Sequence, residues 1–130
     1  MDDRFSRGSE LLDQIHAGGG AKLVAALSDV APDLGRYIVE FGFGDVYRRP
    51  GLSLRDRQLA TVAALAALGT AQAQLAAHIE GALAVGLTRE EVVEVIIQMA
   101  LYGGFPAAMN AVDAARAAFA AADAKASAES

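Results

Sequence analysis

The chain has 130 residues, of which 54% are hydrophobic, enough for one domain with a buried core and too few for two. A formal charge of −5 with dispersed Lys and Arg disfavours nucleic acid and an anionic membrane surface as partners. The absence of cysteine removes disulfides, thiolate nucleophiles and thiolate metal sites, and the two histidines, His16 and His78, lie too far apart for a recognisable metal motif.

The N-terminal residues MDDRFSRGSE are polar and acidic, with no apolar stretch resembling a secretory signal, so a cytoplasmic protein is the expectation. Leu11, Leu12 and Ile15 predict a short docking helix over residues 8–17, stopped by Gly18, Gly19 and Gly20. A second short helix is expected over 21–27. Pro32 suits the first turn of a third, whose stripe reads Leu34, Tyr37, Ile38 and Phe41 and which Gly42 and Gly44 close.

Residues 45–53 read as a loop in which Pro50 biases Arg49 toward an extended backbone. Ser53, with Asp56 three residues on, is placed to cap a helix reaching about residue 68, on which Arg57 and Thr61 share a face. Thr70 is the expected cap of a helix over 71–85 that stops at Gly86. Thr88 and Glu91 then form a capping box for a helix to about residue 102. Gly103 and Gly104 interrupt it and Pro106 restarts the chain. The last helix should carry Ala108, Ala111, Val112, Ala115 and Phe119 on one side and fray over about residues 121–130. No segment alternates with the period of a strand, so the fold class is all-α, a compact helical domain of about six helices spanning residues 1–130. A mean hydropathy of +0.30 is high for a small monomer and points to surface buried against another subunit. The apolar runs are too short or too interrupted to span a bilayer.

Six positions stand out for chemistry. His78 falls on the apolar face of its helix beside Ile79; it reads as a core histidine held by one hydrogen bond, or as a proton donor or acceptor tuned by its surroundings. Arg49 and Arg57 read as ion-pair partners of Asp45, Asp56 or Glu40, or as forked donors to a substrate carboxylate. Asn110, among alanines, either bridges helices or lines a pocket. Gln98 and Tyr102, one turn apart with Glu94 before them, form a polar seam.

Four segments in order, FGFGDVYRRPGL at 41–52, LRDRQLATVAALAALG at 54–69, HIEGALAVGLTREEVVEVIIQ at 78–98 and ALYGGFPAAMNA at 100–111, resemble the carboxymuconolactone decarboxylase family. The resemblance covers roughly residues 34–120. That family is similar to the alkylhydroperoxidase D group, whose CxxC pair falls here on Ala71 and Gln74, so thiol-based peroxide reduction is excluded and the cysteine-free decarboxylase branch fits. Two departures are visible: Gln58 replaces the Glu that many members carry, and Gln98 stands where some of the decarboxylases have His.

The resemblance implies an alkylhydroperoxidase D-like helical domain in a homo-oligomer, commonly a hexamer built as a trimer of dimers, working without metal or organic cofactor. It also implies a carboxy-lyase that converts 4-carboxymuconolactone to 3-oxoadipate enol-lactone in aromatic-acid catabolism. His78, Arg57 and Tyr102 are then the expected catalytic residues, and Arg49, Arg57, Asn110 and Gln98 the expected substrate contacts. The alternatives are a same-fold enzyme for another small cyclic or enolisable acid, which Gln58 and Gln98 keep open, and a non-catalytic helical oligomer.

Overall fold

The computed structural model describes residues 3–129, and these are helical with no strand among them. Seven α-helices run α1 Arg4–Ile15, α2 Gly19–Leu27, α3 Pro32–Tyr37, α4 Leu54–Leu68, α5 Gln72–Ala84, α6 Arg89–Gly103 and α7 Phe105–Glu129. A π-helical segment, Ile38–Val46, continues α3. The helices group into two compact units that divide between Leu54 and Arg55. No helix among the described residues is long and apolar enough to cross a membrane.

In the first unit, Asp3 caps α1 by accepting from the Ser6 N–H at 2.7 Å, so this helix starts several residues before the predicted position 8. Leu11, Leu12 and Ile15 are buried as their spacing requires. Gly18 has a left-handed φ of 70°, but Gly19 and Gly20 belong to α2 instead of ending α1. The predicted stop at Gly42 and Gly44 is likewise overturned, since helix continues through both to Val46, with the wide i→i+5 ladder extended by Tyr47 N–H donating to Gly42 O at 2.9 Å. That wider turn moves the inward face to Val39, Phe43 and Gly44 and leaves Leu34, Tyr37 and Phe41 of the predicted stripe exposed. Gly44 serves close packing: a Cβ there would lie 2.5 Å from Arg4 O, and one on Gly8 only 2.0 Å from Val39 O. Arg4 bridges Asp45 at 2.7 Å and Glu40 at 3.6 Å across the same contact.

In the second unit, Val62 and Ala66 of α4, Leu75, Ile79 and Ala82 of α5, Val92 and Ile96 of α6, and four alanines of α7 form one core. Pro106 sits in the first turn of α7, where its missing N–H costs no hydrogen bond. Thr88 and Glu91 make the predicted capping box: Thr88 Oγ1 accepts from Glu91 N–H at 3.0 Å, and Glu91 Oε1 from Thr88 N–H at 2.9 Å. Thr70, by contrast, does not cap α5; Ala71 holds that position without a side-chain bond.

The buried stripe of α7 is Ala107, Ala111, Ala114, Ala115 and Ala118, while Val112 faces out, because methyl side chains let the helices approach where valine would hold them apart. The helix also runs past residue 121 to Glu129. Alanine favours helix most strongly, and Arg89 pins the end by pairing with Asp123 and stacking 5.0 Å from the Phe119 ring centroid.

Candidate active site

The stripe that buries α4 begins with a polar residue. Gln58 lies one turn before Val62 and two before Ala66, so helical periodicity carries its amide into the core, where it is 0% exposed. On α5 the buried residues Leu75, Ile79 and Ala82 hold His78 half-buried between them. The two side chains meet, with His78 Nδ1 3.1 Å from Gln58 Oε1. A carboxamide oxygen only accepts, so this contact is a hydrogen bond when Nδ1 carries the hydrogen.

Gln58 Nε2, the other end of the same amide, is buried without a hydrogen-bond partner among the described residues. Such a donor costs roughly 1–3 kcal/mol of desolvation, which marks the position as one where packing alone would have chosen another residue. The sequence singles out Gln58 only as a departure from a family pattern. Its spacing from Val62 and Ala66 is the signal that could have placed it inside.

Arg57 precedes Gln58 and is half-buried, its Nε shielded from solvent, and its carbonyl accepts from Thr61 Oγ1 at 2.8 Å. The carboxylates proposed as partners for Arg49 and Arg57 are engaged elsewhere as well: Arg4 holds Asp45, Arg4 and Arg36 hold Glu40, and Arg55 lies 3.7 Å from Asp56. Arg49 belongs to the first unit and is exposed, just beyond the π segment.

Asn110 ties α7 to the turn between α4 and α5, its Nδ2 donating to Gly69 O at 3.2 Å. That carbonyl is presented by a turn in which Gly69 has φ 75°, a left-handed conformation that favours glycine. The void bordered by Asn110, Gln72 and Leu75 is too small to hold a water. Gln98 and Tyr102 lie on an exposed face of α6, Tyr102 at 73%, and among the described residues neither side chain makes a hydrogen bond. The structure thus joins His78 to Gln58 and ties Asn110 to a backbone turn, without linking Gln98 or Tyr102 to either.

Glu91 is held below the usual carboxylate range, first by the Thr88 N–H and then by Arg55, which pairs with it. Among the described residues no group of three His, Cys, Asp or Glu side chains gathers as a metal site would require. An imidazole with a defined hydrogen-bond partner can give or take a proton.

A model of the carboxymuconolactone decarboxylase family matches residues 32–124. The chain is 32% identical over 122 residues to 4-carboxymuconolactone decarboxylase of Acinetobacter baylyi, covering 91% of this chain and 88% of that one. It is 34% identical over 96 residues to an uncharacterized 15.0 kDa protein of Paracoccus denitrificans, covering 73% and 72%. A third relative, nitrosuccinic acid decarboxylase of Metarhizium robertsii, is 34% identical over 76 residues, covering 58% and 52%.

Proposed function

Since the chain belongs to the carboxymuconolactone decarboxylase family, we propose that it is a carboxy-lyase that removes CO2 from 4-carboxymuconolactone to give 3-oxoadipate enol-lactone. The observation that carries this reading is the likeness, along 91% of the chain, to a relative named for that reaction. The His78–Gln58 pair supplies a group suited to its final proton transfer.

The chemistry asks little of a cofactor. As the ring carboxylate leaves, the electron pair of the broken C–C bond flows through the ring double bond into the lactone carbonyl, giving a dienolate. One proton delivered to carbon then completes the enol-lactone. His78 in its imidazolium form delivers that proton and returns to the neutral ring. Arg57 binds carboxylate, and Arg49 is assigned the same work, because a planar fork matches two carboxylate oxygens. Tyr102 or Asn110 steadies the developing oxyanion, and Gln98 contacts substrate.

Nitrosuccinic acid, named in the third relative, also carries its own electron sink, since a nitro group accepts the pair as a nitronate. That likeness favours, as a second reading, another small acid whose departing carboxylate sits next to an electron-withdrawing group.

Assembly with a second copy of the chain is part of the proposal. Ile97 and Leu101 of α6 and Phe105 and Met109 of α7 are 59%, 80%, 78% and 68% exposed, and with Val93 and Val112 they form one apolar face bordered by Arg116. Its area, on the order of several hundred Å2, approaches the roughly 800 Å2 each partner gives a standard interface. Light scattering on Leu101→Glu should report smaller particles than the parent; unchanged mass would refute this face as the contact.

The decisive assay incubates purified protein with 4-carboxymuconolactone and follows CO2 release and lactone absorbance. Turnover by the parent chain and its loss in His78→Ala are expected. An inactive parent sinks the assigned substrate, and an undiminished His78→Ala enzyme removes the imidazole from the reaction.

A further inference from the structure

Proton delivery by His78 requires a proton at one nitrogen of the ring, and the imidazole has two. We infer that Gln58 is the positioning residue that fixes the working nitrogen as Nε2, an inference that rests on His78 being the proton carrier. Gln58 Oε1 lies 3.1 Å from Nδ1, and Gln58 is 0% exposed, so water does not compete for that contact. The amide is itself anchored, because its Cα belongs to the α4 stripe continued by fully buried Val62 and Ala66. With Nδ1–H committed to the amide oxygen, Nε2 is the atom that gains a proton and gives it up.

The identity of residue 58 adds a second constraint. A carboxylate at this distance would accept the same Nδ1 hydrogen but would add a negative charge beside the ring and could itself take up a proton. An amide orients the ring without doing either. Gln58 thereby separates two roles that Glu would combine, leaving His78 as the sole proton-transferring member of the pair.

The test uses the full chain labelled with 15N at histidine in a His16→Gln background, so that one imidazole is observed. Long-range proton–nitrogen correlation, recorded where the ring is neutral, should show Nδ1 protonated and Nε2 bare. Gln58→Leu should move the ring toward Nε2–H, and Gln58→Glu should retain Nδ1–H. A parent ring protonated at Nε2, or a tautomer unaltered in Gln58→Leu, overturns the inference.

Turnover supplies the readout that a purely structural role would not move. For 4-carboxymuconolactone, kcat should fall about 10–100-fold in Gln58→Leu with KM little changed, and the Nδ1–H geometry retained in Gln58→Glu should recover much of it. An unchanged kcat in a Gln58→Leu protein whose tautomer has switched overturns the positioning role. If the parent chain decarboxylates nothing yet shows Nδ1–H, the functional reading fails while the tautomer assignment is upheld.

Discussion

Replacing Gln58 by leucine should leave the protein about as stable as the parent or more so, although it deletes a core hydrogen bond. The bond between Gln58 Oε1 and the half-buried His78 contributes about 0.5–1.5 kcal/mol. Against this stands the unpartnered Nε2 of a residue that is 0% exposed, whose desolvation costs about 1–3 kcal/mol and disappears with the amide. Leucine fills a similar volume, so little cavity term is added. The balance lies between a loss of about 0.5 kcal/mol and a gain of about 2.5 kcal/mol. Gln58→Ala, which also empties the site, should lose about 2–4 kcal/mol. Urea unfolding followed by far-ultraviolet circular dichroism, at one fixed protein concentration, resolves the difference as a shift in midpoint. A Gln58→Leu protein less stable than the parent by more than about 1 kcal/mol would refute the reasoning, because it would mean that the amide is fully satisfied.

Gly8→Ala should destabilise the first unit by at least about 2–3 kcal/mol, since the new methyl would stand 2.0 Å from Val39 O and 2.9 Å from Gly44 N, backbone atoms that cannot rotate aside; an unaltered melting temperature would contradict that contact. Because Thr88 and Arg55 lower the pKa of Glu91 in the folded chain, its charge stabilises the fold above the ordinary glutamate value of 4.5, and that contribution is lost as pH falls through the depressed folded value. A Glu91→Gln variant can keep the capping box but carries no charge there, so the parent's stability advantage should narrow on acidification, and an advantage that grows would reverse the sign. Arg49→Ala should chiefly raise KM for 4-carboxymuconolactone if that guanidinium binds the retained carboxylate, whereas a fall in kcat alone would assign it a different role.

Much of the helical framework is local physics and is therefore legible in the chain. Pro32 opens α3, Thr88 and Glu91 cap α6 reciprocally, and Gly69 and Gly86 punctuate with positive φ, because each feature depends on residues a few positions apart. The family too is written in the order of short segments, which needs no coordinates. Glycine proves ambiguous: Gly42 and Gly44 look like stops, yet the helix passes through them, and Gly44 is there because another backbone comes within reach of its missing side chain.

The helical class, the capping chemistry and the family follow from the order of residues, since periodicity and motif order are properties of the chain alone. Tertiary structure decided which face of each helix is inside. In α7, where alanines lie on every side, apolar periodicity cannot choose between them, and only packing against α5 and α6 selected Ala107, Ala111, Ala114 and Ala118 over Val112. It also decided the site, because Gln58 and His78 lie 20 residues apart on different helices, and only the meeting of those helices makes a glutamine the partner of an imidazole.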